Sequence, residues 1–485
     1  MPRLKELAAT VDGSKVIGSG NPVIVDATHD SRTVKPGSLY VAIRGSAADG
    51  HDFIPQAVAS GAAAVCVDHR VESDLPQLQV PSTRAALGPL SAAVWGHPSR
   101  NFRLVGVTGT NGKTTVTHMI EAITTAAGQR TGLIGTIGAR VIGGSTHEAI
   151  RIPLVRTTPE ATDLQRLFAE MAVAGADVVA MEVSSHALSL GRVAGTEFAI
   201  GAFTNLSQDH LDFHQTMEDY FAAKASLFDS VPIAVVQADN AWGRRLIERL
   251  PETTTIMSVG DGGEVTATGV TLHVDHSTFT LNLDSGSLPV RLPIAGRFNI
   301  DNALVAAGCA RQLRISLDVI VRGLSALLPV PGRFELVQSE SGLDVVVDYA
   351  HTPDGVENAV TAGRAMTAGR LIVVIGAGGD RDQAKRPRMG AAAAAADWVF
   401  VTSDNPRSER PDDIIAQVVD GIDDPSCVTV EPDRRRAISA AVGLARPGDL
   451  VMILGKGHEQ GQDIGGVIYP FDDRTVAREA MGIAR

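Results

Sequence analysis

The segment Val105-Gly-Val-Thr-Gly-Thr-Asn-Gly-Lys-Thr-Thr115 carries the plainest chemistry in the chain. An apolar run leads into glycines and then into a helix-like stretch, so backbone N–H groups and a helix N-terminus can surround phosphate oxygens. Gly109, Thr110, Asn111, Gly112, Lys113, Thr114 and Thr115 are the expected nucleotide contacts. Lys113 would reach the terminal phosphates and Thr114 would offer its hydroxyl to Mg²⁺. Val107 stands where the strict pattern G-x-x-x-x-G-K-S/T expects its first glycine, so a glycine-rich turn without a ligand is the competing reading.

Glu182 closes the apolar run Val178-Val-Ala-Met-Glu-Val183, and His210 sits in Thr204-Asn-Leu-Ser-Gln-Asp-His-Leu-Asp-Phe-His214. Both positions belong to the ligand edge of a parallel sheet. One carboxylate and one imidazole, with substrate oxygens, make a possible though unusual Mg²⁺ set. For His210 alone, spacing favours a structural hydrogen bond over a ligand role. Lys224, in Tyr220-Phe-Ala-Ala-Lys-Ala-Ser-Leu-Phe228, reads by itself as a helix lysine with its tip in water.

These groups need elements to hold them. At 485 residues the chain exceeds one ordinary core, and roughly 150 residues per domain predicts about three. Residues 1–100 show short apolar runs (Pro22 to Val25, Ser38 to Ile43, Ala62 to Val67) between Gly and Asp turns, the pattern of a small α/β domain. From Leu104 the rhythm becomes strand, glycine loop and helix, with Thr115 to Ala127 stopped by Gly128. Strand-and-loop units recur at Val178 to Ser185 and Ile200 to His210; residues 264–295 alternate like antiparallel strands, and a helix spans Asn299 to Leu313. After Pro329 and Pro331 come Val345 to Asp348, Leu371 to Ile375, Trp398 to Thr402 and Leu450 to Leu454. Such continuous apolar strands imply a parallel sheet covered on both faces, with chemistry in the loops at its carboxyl ends. The alanine run 391–396 reads most simply as helix. The expected fold is therefore α/β: residues 1–100, a central P-loop-type parallel-sheet ATPase domain over 101–330, and a Rossmann-like domain over 331–485.

Composition narrows the partners. A net charge of −12 argues against nucleic acid or an anionic membrane surface. Cys66, Cys309 and Cys427 form no CxxC pair and suggest neither a disulfide framework nor a zinc cluster, which fits a reducing cytoplasm. The N-terminus lacks an apolar signal core, and no stretch of about 18 apolar residues suggests a membrane span. The expectation is a cytoplasmic monomer acting on small molecules.

Taken in order, the motifs resemble the Mur ligase family across essentially the whole chain, and in particular its diaminopimelate-adding members. The markers are Asp30-Ser-Arg32, Asp49-Gly-His51, Thr108 to Thr115, Thr157-Thr-Pro159, Glu182-Val-Ser-Ser-His186, His210 to His214 and Asn299 to Asn302. Later come Pro331-Gly-Arg333, Asp348-Tyr-Ala-His351, Gly378-Gly-Asp-Arg381, Asp404-Asn-Pro-Arg407 and Gly455-Lys-Gly-His-Glu459.

The resemblance implies roles. Lys224 matches a lysine carbamylated by CO₂, an anion able to hold Mg²⁺, and Glu182 and His210 match metal ligands. Catalysis would rest on these three and Lys113. Asn302, Arg333, Asp348 and His351 match positions around ATP; Ser31, Thr157, Thr158, Ser184 and Arg192 match the grip on UDP-MurNAc-L-Ala-D-Glu. Arg381, Asp404, Asn405, Pro406, Arg407, Gly455 and Glu459 match the amino-acid pocket. Arg407 and Arg381 offer planar forks for the distal carboxylate of meso-diaminopimelate, and Glu459 can pair with its ammonium. Lysine would leave buried cations unpaired, a defect that can discriminate by roughly 10⁴–10⁵. The four residues 404–407 also make an ordinary turn sequence. Gly45 and Leu190 depart from some members, which carry His and Gln there.

The implied reaction is ATP-dependent and ADP-forming: the D-Glu γ-carboxylate is phosphorylated, then the amine of diaminopimelate displaces phosphate, in peptidoglycan precursor synthesis. Lysine addition to the same precursor, glutamate addition to folate, and a nucleotide-switched binding module are the rival readings. The module has no use for the loops beyond residue 331.

Overall fold

The computed structural model describes residues 1–483 except 46–47, 144–149, 153, 155 and 339–341. The chain divides into two compact units built from interleaved segments. The first holds residues 1–108, 128–201 and 223–233, and the second 109–127, 202–222 and 234–485.

In the first unit a five-stranded sheet runs in the order Lys15–Ile17, Gln77–Gln79, Ala64–Val67, Ser38–Val41, Asp26–Thr28. Its strands are parallel except Lys15–Ile17. Strict alternation sorts the side chains. Leu39, Val41, Ala64 and Cys66 join a core with Leu4, Leu7, Leu87 and Leu90, while Tyr40, Ala42, Val65 and Val67 pack with Ile54 and Ala57 on the other face. The helix Thr83–Val94 supplies much of the first cover and starts where Ser82 accepts a hydrogen bond from the Ala85 N–H. Pro22 to Val25, expected as an apolar run, forms no strand: Val23 makes an isolated bridge and Ile24 is buried in the core, and the strand begins at Asp26.

The same unit holds parallel strands Arg103–Thr108, Val178–Glu182 and Thr131–Gly135, adjacent in that order, extended antiparallel by Gly138–Ile142 and Ile150–Ile152. The helix Ala161–Val173 buries Leu164, Leu167, Phe168 and Met171.

In the second unit the helix Lys113–Ala126 packs against Arg297–Gln312 and Leu317–Ser325. Gly128 has φ +78°, the expected left-handed stop. Residues 264–295 form three antiparallel strands, Thr266–Leu272, Ser277–Leu283 and Gly286–Leu292. The largest sheet of this unit runs Glu335–Gln338, Asp344–Asp348, Leu450–Leu454, Leu371–Ile375, Trp398–Val401, Val428–Val430, parallel except for its first strand. All four expected strands are present. The two outer ones escape the sequence pattern because they are short edges; Val428–Val430 is half exposed and has no apolar run to announce it. The helix Lys385–Ala393 ends inside the alanine run, with Ala394 as its cap. Among the described residues no helix is long and apolar enough to cross a membrane.

Candidate active site

The phosphate loop opens the helix Lys113–Ala126, with Gly112 at its N-cap in the left-handed region, φ +86°. A Cβ there would stand 2.2 Å from Asn302 Oδ1, so the turn requires glycine on both conformational and steric grounds. Lys113 Nζ donates to the carbonyls of Gly109 and Thr110, each at 2.9 Å, and so curls over its own loop. Thr204 Oγ1 donates to the Asn111 carbonyl at 2.6 Å, and Asn111 Nδ2 donates to Asp354 at 2.9 Å.

Arg333 reaches this loop: its Nη2 donates to Thr114 Oγ1 at 2.9 Å while the guanidinium lies 4.5 Å over the Tyr349 ring. Its buried Nε has no hydrogen-bond partner. Beside it is a cavity of about 270 Å³ lined by Asn111, Gly112, Thr115, Asn302, Arg333 and Asp348 among others. Asp348 accepts from the Phe334 and Ala350 N–H groups at 2.7 and 2.9 Å. Burial raises its pKa even so, against the pull of Arg333 and those amides. Asp301, on the cavity wall, is pushed up to about 6 by burial, opposed by Arg297 and reinforced by Asp239 and Asp261. Thus five of the residues expected to meet a nucleotide share one cavity wall with Thr115.

His351 is turned by a hydrogen bond between its Nδ1 and the Tyr349 carbonyl at 2.8 Å, and its Nε2 lies 3.7 Å from Asp209. Asp209 also stands 3.3 Å from His210 Nε2 and 3.5 Å from Lys385 Nζ. Burial, its largest influence, would raise the Asp209 pKa, but His351, His210 and Lys385 together hold it well below the ordinary value. Neither Asp209 nor Lys385 was singled out by sequence reasoning, although Asp209 lies in the quoted 204–214 loop. The signal available was an acid beside a candidate ligand. His210 itself occupies the left-handed region, φ +56°, and caps the short helix Leu211–His214.

In the first unit Glu182 is 1% exposed. Its carboxylate accepts from the Thr136 amide at 2.8 Å and the Thr136 hydroxyl at 3.1 Å. Thr136 Oγ1 also lies 3.1 Å from Thr157 Oγ1, tying a candidate metal ligand to a candidate substrate contact. Thr136 was not anticipated. Thr158 Oγ1 donates to the Glu182 carbonyl and accepts from the Ser184 amide. Arg192 Nε donates to Glu160 at 2.8 Å. Ser31 Oγ donates to Gln56 beside a separate cavity of about 430 Å³ lined by Ser31, Tyr40, Gly50 and Gln56. Lys224 is 1% exposed, which overturns the reading of a helix lysine with its tip in water.

The amino-acid turn is a buried polar assembly in the second unit. Lys456, fully buried, donates to Asn405 Oδ1 and Glu459 Oε2, both at 2.9 Å, and lies 3.9 Å from Asp404. Asn405 Nδ2 completes the triangle by donating to Glu459 at 2.8 Å. Gly455 has φ +114°, and a Cβ on it would fall 2.5 Å from Asp404 Oδ2. Pro406 precedes Arg407, whose backbone is left-handed at φ +51° and paired with Asp463 O and the Gly465 N–H. The Arg407 guanidinium donates to the Gly379 carbonyl. Here the expectation of buried arginines needs correction: Arg381 is exposed and donates to the Asp380 carbonyl, and Arg407 is half-buried. The buried cation is Lys456, present in the quoted motif but given no role. His458 next to it is held near 3 by burial and then by Arg333 and Arg474, so it is neutral at physiological pH.

Known proteins resolve what these groups belong to. The model of the Mur ligase family catalytic domain matches residues 24–95, that of the Mur ligase middle domain 107–310, and that of the Mur ligase glutamate ligase domain 332–457. This chain belongs to the Mur ligase family. A Streptomyces avermitilis protein named UDP-N-acetylmuramoyl-L-alanyl-D-glutamate–2,6-diaminopimelate ligase is 46% identical over 94% of this chain and 92% of its own length. A Bacillus licheniformis protein of the same name is 42% identical over 96% of both. A solved structure bearing that name superposes with a TM-score of 0.67 at 33% identity, covering 95% of both chains. The Mur ligase MurF from Acinetobacter baumannii, at 20% identity and a TM-score of 0.70 over 99% of both chains, shares the fold.

Proposed function

We propose that this chain joins meso-diaminopimelate to the D-Glu γ-carboxylate of UDP-MurNAc-L-Ala-D-Glu at the expense of ATP, releasing ADP and phosphate. Relatives 42–46% identical over nearly their full length carry the name of that ligase. The structural observation that carries the amino-acid assignment is the Lys456–Asn405–Glu459 triangle beneath the 404–407 turn. It fixes the Glu459 carboxylate and anchors Asn405, two residues before Arg407; a carboxylate and a guanidinium are the pair a diamino acid's far end requires.

Residues 1–100 take the UDP end of the precursor through Ser31, 101–330 take ATP, and 331–485 take the amino acid. Gly109 to Thr115 cradle the phosphates, with Lys113 leaving its loop carbonyls for the γ-phosphate. Asn302, Arg333, Asp348 and His351 surround the nucleotide. Thr157, Thr158, Ser184 and Arg192 hold the precursor near Glu182.

By the chemistry of their donors, Thr114 through its hydroxyl, Glu182 through its carboxylate and His210 through its imidazole would each suit Mg²⁺, and Lys224 would do so only as the carbamate. An ammonium in that dry site repels a cation, whereas a carbamate supplies oxygen donors. When bound, the ion would offset charge on the transferred phosphoryl group. The D-Glu carboxylate displaces ADP from the γ-phosphorus, forming an acyl phosphate. The diaminopimelate amine then attacks the carbonyl carbon, the amine proton is lost and phosphate departs. Two cysteine thiols, Cys66 and Cys309, lie buried and free, which suits the cytoplasm, where we place a monomeric enzyme serving peptidoglycan synthesis and with it cell shape and division.

The test is phosphate release with the UDP-dipeptide, ATP and Mg²⁺ against meso-diaminopimelate, LL-diaminopimelate, lysine and glutamate. Release driven by meso-diaminopimelate is expected; release driven by lysine alone moves the chain to the lysine-adding class.

A further inference from the structure

The marker Asp49-Gly-His51 has no part in the ligation described above. It lies beside the residues that follow the central strand of the five-stranded sheet, Ala64–Val67. There His51, Asp68 and His69 bring one ligand atom each within 4.8 Å of one another, a grouping unmatched among the described residues. We propose that these three side chains form a site for a borderline divalent cation, Zn²⁺ by preference, separate from the Mg²⁺ of the reaction.

His51 anchors the site. Its side chain is 7% exposed. Its Nδ1 sits 2.6 Å from Asp49 Oδ1, and the His51 amide donates to the same oxygen. A carboxylate on one ring nitrogen fixes the proton there and leaves the other nitrogen as a lone-pair donor, the usual support of a metal-bound histidine. That second nitrogen, Nε2, is buried without a hydrogen-bond partner and faces Asp68 Oδ1 at 3.3 Å. Two donors each about 2.05 Å from a tetrahedral Zn²⁺ lie about 3.3 Å apart. His69 completes the set, its Nδ1 2.5 Å from the same Asp68 oxygen and its ring 4.6 Å from that of His51.

Charge agrees with a cation. Two carboxylates, Asp49 and Asp68, stand against the His51 ring at 2.6 and 3.3 Å. Apart from the histidines, Arg44 is the one basic side chain among the described residues paired with both acids, at 3.5 and 3.2 Å, and it is largely exposed. It balances one negative charge and leaves one. Two imidazole nitrogens and a carboxylate suit Zn²⁺ better than Mg²⁺, which prefers oxygen. On binding, His69 exchanges its hydrogen bond to Asp68 for the metal and releases any proton the cluster held. The ion would tie the turn at 49–51, whose Gly50 lines the 430 Å³ cavity, to the end of strand Ala64–Val67.

The test uses the full chain with Mg²⁺ and a nonhydrolysable ATP analogue present to occupy the oxygen-donor sites. Zn²⁺ affinity is measured by competition with a chromophoric chelator, and Co²⁺ serves as the spectroscopic probe. Wild type should bind one equivalent more than His69→Gln or Asp68→Asn, with affinity at this site lower in either variant by on the order of 100-fold. The Co²⁺ visible bands of the site should vanish with it. His69 is half-exposed, so His69→Gln keeps the fold, which a thermal melt verifies. Equal Zn²⁺ uptake and identical Co²⁺ spectra in wild type and both variants would overturn the proposal, as would a cluster that takes up protons but no metal.

Discussion

In the proposed reaction the phosphate loop and the amino-acid turn face the same problem, binding an anionic group, and they are built in opposite ways. Residues 109–115 are consecutive, their donors are mainly backbone N–H groups, and the cation Lys113 rests on its own loop's carbonyls. The turn at 404–407 draws on three separate segments, ending respectively near Arg381, Arg407 and Glu459. Its buried cation, Lys456, is locked into a side-chain triangle. The first device is local, and its lysine is proposed to leave its own loop for the γ-phosphate. The second is global, and its lysine cannot move without giving up two hydrogen bonds, to Asn405 and Glu459, so in the proposed reading it acts as foundation while Arg407 meets the ligand.

The largest effect should come from the loop lysine and from Lys224, the proposed carbamate. Lys113→Ala and Lys224→Ala are each expected to lower kcat by about 10³-fold or more, with excess bicarbonate unable to rescue the latter; single-turnover phosphate release measures both. Retained turnover in Lys113→Ala would erase the contrast, since the mobile lysine would then do nothing.

Next is Arg407→Ala. It should raise the KM for diaminopimelate by about 100-fold, the cost of losing one partner of a charge pair, while ATP affinity measured by calorimetry stays unchanged. Lys456→Met should be smaller in catalysis, about tenfold in the same KM, but larger in stability. Removing the partner of a buried ion costs about 3–5 kcal/mol, visible as a lowered midpoint in urea. If Lys456→Met were instead neutral for stability, the turn would not be the rigid base described.

The smallest effect concerns pH. The folded pKa of Asp209 lies well below its ordinary 3.8, so it adds stability that is present above 3.8 and lost as pH falls toward the folded value. Asp209→Asn lacks that contribution. Its melting temperature should be lower than wild type at neutral pH and should fall less steeply on acidification below that value.

The same contrast explains what the sequence could reveal. Local patterns were readable: the strand, loop and helix at 103–126, the three antiparallel strands within 264–295, and the four apolar strands beyond residue 344. Each is fixed by neighbours in the chain. Contacts between distant segments were not, because Thr136 beneath Glu182, Asp209 among His210, His351 and Lys385, and Lys456 under residue 405 depend on pairings 46 to 176 residues apart or on burial. Lys224 shows the point most sharply: its flanking residues suggest a solvated helix lysine, yet it is buried. Only the order of motifs along the whole chain pointed to the role proposed for it. The over-reading of Arg381 as a buried fork has the same origin, since sequence names a donor without saying whether water reaches it.

The decisive measurement compares phosphate release driven by meso-diaminopimelate with that driven by lysine, in wild type and in Arg407→Ala. A wild type that favours diaminopimelate by at least about 10³ in kcat/KM, with that preference collapsing toward unity in the variant, is the predicted result. A preference that survives the loss of Arg407 undiminished would place recognition of the distal carboxylate elsewhere.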